Sequence, residues 1–246
     1  MIRYIAGALL ALVGSAAAAA GSFNIDSVQN LNQQQFHELA QDLGAALSYK
    51  PLEPADTLGL GGFDIGAVLS ATTLTNTADV QKAISNGTIA GTLPVPTLRA
   101  TLGVPYHLDF GALYSRVPSS GINLWGADLK WALLPGDIAL PAIALRASVT
   151  RLDGVRQLGF ETIGADLSIS KGILNFTPYG GVGEVWSRTS TTTVSAASGL
   201  PLQQVNLTQS KVFLGCGINL GLADLTFEAD STGAIRSYSG KVGFRF

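Results

Sequence analysis

The chain contains 246 residues, of which 47% are hydrophobic and 13% are charged, and its mean hydropathy is +0.32. The formal net charge of −2, without a basic stripe, argues against a nucleic-acid partner, because proteins that bind nucleic acids usually carry such a stripe. Cys216 is the sole cysteine, which excludes an intramolecular disulfide and a cysteine-based zinc cluster, and the sequence indicates no cofactor.

The first segment, residues 1–20, has the pattern of a secretory signal peptide. Arg3 supplies an early positive charge, an apolar stretch runs from Tyr4 to about Val13, and small residues follow. This stretch is shorter than the roughly 18 residues of a membrane-spanning helix, and no later apolar run approaches that length. We therefore expect residues 1–20 to be removed and the apolar residues of the mature chain to be dispersed.

The second segment, residues 21–56, is predicted to hold an amphipathic helix and a linker. Between Ser27 and Leu47, apolar residues recur at spacings of three and four, with glutamines and acids between them. Tyr49, Pro51 and Pro54 end the helix.

From residue 57 onward the period changes to two, which is typical of strands whose side chains alternate between two faces. Apolar and polar residues alternate in runs at 63–70, 97–103, 108–116, 125–133, 143–150, 162–169, 211–220, 224–230 and 238–246. The run 176–188 is rich in glycine and its pattern is weaker. There we assign Tyr179 and Val185 to the apolar outer face and Glu184 to the polar inner face.

These runs favour a membrane barrel over a soluble β-sandwich. Many of the alternations extend over about ten residues, which suits a strand tilted across about 30 Å of hydrocarbon, and their apolar faces carry little charge. The connections between runs are predicted to alternate strictly between long and short, as expected for outer loops and periplasmic turns. The sequence predicts an all-β fold over residues 57–246: an antiparallel up-and-down transmembrane β-barrel of about ten strands, with eight or twelve as alternatives.

The C-terminal strand carries a resemblance to a known group of proteins. Its alternation, formed by Tyr238, Val242, Phe244 and the terminal Phe246, resembles the closing strand of bacterial outer-membrane proteins. The stretch 177–181 also looks like a strand start in small barrels of the broad OmpA/OmpW-like group. The resemblance implies a location in the bacterial outer membrane with both termini periplasmic. It also implies that the barrel assembly machinery reads these four residues as an assembly signal.

The residues that alternate to the inner face of the predicted strands are predicted to form a charged lumen, with nearly equal numbers of acidic and basic side chains. Its predicted acids are Asp64, Asp109, Asp128, Asp166, Glu184, Asp224, Glu228 and Asp230, and its predicted bases are Arg99, Lys130, Arg146, Arg188, Lys211, Lys241 and Arg245. A barrel of about eight strands is just filled by its side chains, so these charges favour a closed, ion-paired interior. The alternative is a narrow pore or a carrier, with a small solute or a lipid as candidate ligand.

Two further features leave their roles open. The N-terminal helix is expected at the periplasmic mouth or inside the lumen as a plug; the alternative is the inner leaflet of the membrane. The long connections carry a short predicted helix around 79–84 and a Ser/Thr-rich run at 189–198. We expect them to be solvated loops, with adhesive or phage-facing surfaces as the alternative.

An outer-membrane lipid-modifying enzyme is disfavoured by the histidines. A serine nucleophile generally needs a histidine base, and the chain offers His37 on the helix and His107 beside a tight turn. We therefore expect no enzymatic activity, no metal site, and outer-membrane lipid as the surrounding partner.

Overall fold

The computed structural model describes residues 25–84, 91–116, 123–155 and 157–246, and the predicted signal peptide lies outside them. In the described part of the chain, ten antiparallel strands each pair with their sequence neighbours, and β1 also pairs with β10, which closes the sheet into a barrel. The strands are β1 Phe63–Thr73, β2 Thr92–Val104, β3 Leu108–Arg116, β4 Asn123–Leu134, β5 Ala142–Asp153, β6 Gly159–Ser170, β7 Phe176–Ser190, β8 Val205–Asn219, β9 Ala223–Thr232 and β10 Ile235–Arg245. The predicted ten-stranded up-and-down barrel is confirmed.

The barrel closes where the first strand meets the last residue of the chain. The backbone N–H of Phe63 donates to the carbonyl of Phe246 at 2.6 Å, and Phe246 donates back at 3.0 Å. Their ring centroids lie 5.9 Å apart. Closure leaves no unpaired strand edge between β1 and β10. The end that holds these two residues is called the base below, and the opposite end is called the top.

The alternation along each strand separates an interior from an outer surface. In β5, for example, Arg146, Ser148 and Thr150 are buried, whereas Leu145 and Val149 are exposed. This is the reverse of a soluble protein, in which apolar side chains lie inside. Tryptophans 125 and 131 of β4 are also on the outer surface, 53% and 49% exposed, and are not buried between two packed layers.

The N-terminal part of the described chain forms a short 3₁₀ helix, Val28–Asn30, and then α1, Gln33–Leu47. Asn32 caps α1: its side chain accepts from the backbone of Gln35, whose side chain accepts from the backbone of Asn32 in return. A second helix, α2, Thr77–Lys82, lies in the connection between β1 and β2, close to its predicted position. Among the described residues, no helix has the length and apolarity needed to cross a membrane.

Helix α1 lies within the top end of the barrel and fills it. Its apolar face, with Phe36, Leu39 and Leu43, packs in a core cluster with residues from the top ends of the strands, such as Leu93 of β2 and Leu152 of β5. The two longest connections, 74–91 and 191–204, join strands at their top ends. Their apolar residues Val80 and Leu202 join the same cluster.

Two predictions about the ends of the barrel are wrong. Connection length does not alternate strictly, because the base connection 135–141 is longer than the top connections 154–158 and 233–234. The termini of the described chain do not share one end either: Ile25 forms a bridge with Ile84 at the top, while Phe246 is at the base. The reason is that the chain returns from α1 to β1 through the barrel, a path that a local sequence pattern does not encode.

Candidate functional site in the barrel interior

The segment that joins α1 to the base of the barrel passes through the interior. Its residues 48–55, called the threading segment below, are all buried. At its upper end Thr150 Oγ1 donates to the carbonyl of Leu47 at 2.9 Å, and at its lower end the N–H of Ala55 donates to Ser170 Oγ at 3.1 Å. Thr150 lies near the top of β5 and Ser170 ends β6 at the base, so the segment crosses most of the barrel's length.

The barrel wall supplies the hydrogen bonds that this segment cannot make within itself. An extended, proline-containing backbone has no internal hydrogen bonds, and buried carbonyls need donors. Three wall cations provide them. Arg99 donates to the carbonyls of Lys50 (3.1 Å) and Pro51, Lys211 donates to that of Tyr49 (3.3 Å), and Lys130 donates to that of Pro54 (3.2 Å).

Glu53 is the centre of the charge network. Its Oε1 lies 2.9 Å from Nη2 of Arg99 and 3.6 Å from Nζ of Lys130, and it accepts a hydrogen bond from Arg146. The two arginines also contact Asp128, at 3.8 Å from Arg99 and 3.1 Å from Nε of Arg146. One carboxylate of the threading segment therefore neutralises cations from three different strands, which is needed because an unpaired buried charge is costly.

Tyr49 adds an aromatic contact to the same network. Its hydroxyl donates to Asp128, and its ring lies under two guanidinium groups, 4.9 Å from that of Arg99 and 5.9 Å from that of Arg146. Such cation–π contacts stabilise a desolvated arginine that would otherwise lack a full set of partners.

The other side of the segment binds β9 and β10. Lys50 Nζ lies 2.8 Å from Asp230 Oδ2 and donates to Ser237 Oγ at 3.1 Å. The N–H of Leu52 donates to Glu228 at 2.9 Å, and Leu52 has a φ of 48°, in the left-handed region that a leucine rarely adopts. The wall therefore determines the conformation of the segment more strongly than its local preference does.

Charges of the wall also pair with one another, and Lys211 and Lys130 do so in addition to their contacts with the segment. Lys211 lies 2.7 Å from Asp166, and Lys241 lies 2.6 Å from Asp64 and 3.0 Å from Asp224. Near the base, Lys130 lies 3.0 Å from Asp109. Because cations and carboxylates alternate through the interior, no large region of one sign forms among these residues.

Most of the predicted lumen residues are buried in the interior. They are Asp64, Arg99, Asp109, Asp128, Lys130, Arg146, Asp166, Lys211, Asp224, Glu228, Asp230 and Lys241. Arg245, at the base end of β10, is partly exposed. In the predicted assembly signal, Tyr238 and Phe246 are exposed, and Val242 and Phe244 are partly exposed on the outer surface.

The assignment of faces in β7 was wrong. Tyr179 and Val185 are buried in the interior, at 4% and 1% exposure, whereas Glu184 and Arg188 are exposed on the outer surface. Glycines 180, 181 and 183 have no side chains that show which positions of the strand face inward, so the polarity of Glu184 alone favours the inner face for that residue. Trp186, exposed on the outer surface like the other tryptophans, gave the correct parity.

Sequence reasoning also missed three interior residues, Tyr49, Lys50 and Glu53. They follow the end of the helix, where the prolines indicate an extended chain but not its position. Their partners lie on strands 46 to 187 residues further along the chain. A local pattern carries no signal for contacts of that range.

At the top, Asp42 of α1 holds the connection that follows β1. Its two carboxylate oxygens accept from the backbone N–H groups of Thr75 (3.1 Å) and Asn76 (3.0 Å). Burial raises the pKa of Asp42, and these two hydrogen bonds oppose that rise. Gln33 exchanges two hydrogen bonds with the backbone of Gln203 in the 191–204 connection, so both long connections are fixed to α1.

The histidines lie apart from each other and from the interior network. His37 is exposed on α1 at the top, and His107 is exposed in the turn between β2 and β3 at the base. No cluster of three or more histidine, cysteine or acidic side chains within the described ranges is arranged to hold a metal ion. The contacts of the interior residues described above are ion pairs, hydrogen bonds and cation–π contacts.

Comparisons with solved structures return outer-membrane proteins at low similarity. The outer membrane protease OmpT of Escherichia coli matches with a TM-score of 0.41 at 10% identity, covering 75% of this chain and 96% of that chain. The translocator domain of the autotransporter NalP of Neisseria meningitidis matches with a TM-score of 0.40 at 9% identity, covering 85% and 93%. OprG of Pseudomonas aeruginosa matches with a TM-score of 0.37 at 11% identity, covering 79% and 99%. No protein-family model and no curated protein matches the sequence.

Proposed function

We propose that the protein is an integral β-barrel of the bacterial outer membrane whose interior is closed by its own N-terminal segment. The observation that carries the proposal is the position of the threading segment. It lies along the barrel interior and pairs with charges from the surrounding strands. Lys130 and Lys211 of the wall are only 2% and 1% exposed, so bulk solvent does not reach them.

The outer surface supports a membrane location. Large apolar side chains on all ten strands of the described chain are more than a third exposed, among them Ile65, Leu98, Phe110, Trp131, Leu145, Ile163, Val182, Leu214, Phe227 and Tyr238. Monomeric soluble proteins rarely expose contiguous apolar surface larger than a few hundred Å². Hydrocarbon covers such a surface without cost, and a closed barrel leaves no strand edge unpaired within it.

The sidedness of the barrel follows from its connections. Outer-membrane barrels have short periplasmic turns and longer outer loops. The connections 74–91 and 191–204, the two longest, join strands at their top ends, so we place the top outside the cell and the base, with Phe246, in the periplasm. In this orientation α1 lies at the outer face, and the threading segment leads inward to β1.

The proposal includes partners but no catalysis. The outward residues Tyr238, Val242, Phe244 and Phe246 at the end of β10 are free to be read by the barrel assembly machinery, and outer-membrane lipid surrounds the barrel. We propose no enzymatic role: a serine nucleophile generally needs a histidine base, and His37 and His107 are exposed at opposite ends of the barrel, apart from the interior network. An open pore or carrier is disfavoured because the threading segment occupies the route that a solute would take.

Single-channel conductance in planar bilayers tests closure. We expect the full mature chain to show no steps, and a variant lacking residues 25–55 to show steps because its interior is no longer filled. A variant lacking residues 25–31 retains α1 and the threading segment and serves as the matched control, with no steps expected. Heat-modifiable gel mobility must first show that each variant is folded. Steady conductance of the full chain would contradict a closed barrel.

A further inference from the structure

Two adjoining grooves lie on the outer surface over β4–β8, toward the top. The larger, of about 730 Å³, has an apolar floor that includes Ala127, Val149 and Ile163, and Trp125 and Trp186 also line it. The smaller, of about 270 Å³, is polar and lies nearer the top, beside Gly159 at the start of β6 and Ser190 at the end of β7. Arg151, Glu161 and Arg188 line both grooves and therefore mark the boundary between them.

The strand register produces this boundary. Across four strands, Trp125 pairs with Arg151, Arg151 with Glu161, and Glu161 with Arg188, which forms one outward row that is mostly charged. The next outward row toward the base consists of Ala127, Val149, Ile163 and Trp186. A polar row and an apolar row therefore lie side by side. Ala127, Val149 and Ile163, which are smaller than tryptophan, lie between Trp186 of the apolar row and Trp125 of the polar row, and they form the floor of the larger groove.

The two arginines have unused hydrogen-bonding capacity. Arg151 Nε lies 3.4 Å from Asp153, and Arg188 Nη1 lies 3.7 Å from Glu161 while its Nε donates to Gln204 at 3.0 Å. Both arginine side chains are more than half exposed, and the other donors of each guanidinium face outward. Exposed ion pairs of this kind contribute little, and each guanidinium carries five donors. An anion that binds both arginines can therefore displace the exposed ion-pair partners, and phosphate is one of the anions whose geometry the guanidinium fork matches.

We propose that these grooves form a binding site for a phosphorylated lipid, with its phosphate between Arg151 and Arg188 and an acyl chain on the apolar floor between Trp125 and Trp186. This inference rests on the proposed membrane location. Tryptophans concentrate at the boundary between hydrocarbon and headgroups, which is where a phosphate and the start of an acyl chain meet. Charge complementarity and the junction of a polar with an apolar groove both match this one occupant.

The test uses the full mature chain in nanodiscs of phosphatidylcholine that contain a minor fraction of phosphatidic acid with the same acyl chains. Native mass spectrometry of the released protein counts the lipids that stay bound. We expect the wild-type protein to retain phosphatidic acid in preference to phosphatidylcholine. In the double variant Arg151→Gln/Arg188→Gln, the ratio of retained phosphatidic acid to retained phosphatidylcholine should fall about tenfold. The control Arg236→Gln/Lys82→Gln removes the same charge from exposed residues outside the grooves, and it is expected to keep the preference.

Two further variants separate the grooves. Ala127→Phe fills the apolar floor, so it should reduce retention although both arginines remain. Glu161→Gln removes the carboxylate that competes with phosphate, so it should increase retention, an effect that a merely structural role would not produce.

The outcomes distinguish this inference from the proposed function. Failure of the wild-type chain to insert into nanodiscs contradicts the membrane location itself. Insertion with equal retention of both lipids overturns the lipid site and leaves the membrane location intact. Equal losses in the arginine variant and its control, or full retention in Ala127→Phe, also overturn the site.

Discussion

Nζ of Lys50 lies 2.8 Å from Oδ2 of Asp230, and both side chains are buried inside the barrel. Lys50 belongs to a segment without regular secondary structure, whereas Asp230 belongs to β9. The pair therefore joins the chain that fills the interior to the wall that surrounds it. Because neither charge has water to replace its partner, each depends on the other.

Breaking this pair should destabilise the barrel strongly. We expect Lys50→Met to lower the free energy of unfolding by about 3 kcal/mol, because it leaves Asp230 buried without its cation. The measurement is urea unfolding in detergent, monitored by tryptophan fluorescence. Lys82→Met is the matched control: its ion pair with Asp79 is at 3.1 Å, but the lysine is 48% exposed, so a change of at most about 0.5 kcal/mol is expected.

A double variant tests whether the effect belongs to the pair. In Lys50→Met/Asp230→Asn no unpaired charge remains, so the loss should be smaller than the sum of the two single losses. Additive losses would show that the two side chains do not interact, and would contradict the interior pairing.

The carboxylate of Glu53 should also stabilise the folded barrel, because it pairs with three buried cations. Glu53→Gln leaves Arg99, Lys130 and Arg146 with one fewer counter-charge, and we expect a loss of about 3 kcal/mol in the same unfolding experiment. Glu161→Gln removes an exposed carboxylate 3.7 Å from Arg188 and should change stability by less than about 0.5 kcal/mol. Equal effects of the two substitutions would refute the central position of Glu53.

The position of α1 at the outer face can be tested by labelling intact cells. In a Cys216→Ser background, Gln34→Cys places a thiol on the exposed start of α1 at the top, and His107→Cys places one in the exposed turn at the base. A membrane-impermeant thiol reagent should label the first variant and not the second until the outer membrane is permeabilised. The reverse pattern would place the base outside and contradict the proposed orientation.

The strand faces were predictable where side chains of contrasting polarity alternate, as in β4, β5 and β10. The prediction failed in β7, where three glycines leave the parity to a few residues and Glu184 lies on the outer surface. The sequence also did not predict that the threading segment is buried in the barrel interior. Its burial depends on contacts with strands that come much later in the chain, and a pair such as Lys50 with Asp230 is 180 residues apart. Periodicity reports the local face of a strand, not what fills the space behind it.

Glu184 itself provides a further prediction, because its carboxylate is exposed on a surface that we place in the membrane. Its cross-strand neighbours are Ala165 and Ser210, neither of which carries a compensating charge. A charged side chain facing lipid costs from nearly zero at the interface to a few kcal/mol at the midplane, with acids at the lower end of this range. We expect Glu184→Leu to raise the free energy of unfolding in lipid bilayers by about 1 kcal/mol, and Ser210→Leu to serve as a control for added apolar area alone. A loss of stability in Glu184→Leu would contradict a lipid-facing position.

The contact between Asp42 and the connection after β1 should depend on pH in a direction set by burial. Because burial raises the pKa of Asp42 above its usual value of about 3.9, the folded protein holds this proton more tightly than the unfolded chain does. The contribution of Asp42 to stability is therefore greatest below the unfolded pKa, and it falls as the pH rises from about 4 through the folded pKa. Asp42→Asn does not titrate, so the stability of this variant minus that of the wild type should increase from pH 3 to pH 7. The difference, measured by urea unfolding at both pH values, cancels the other titrating groups; if it decreases with rising pH, the hydrogen bonds from Thr75 and Asn76 dominate over burial at this site.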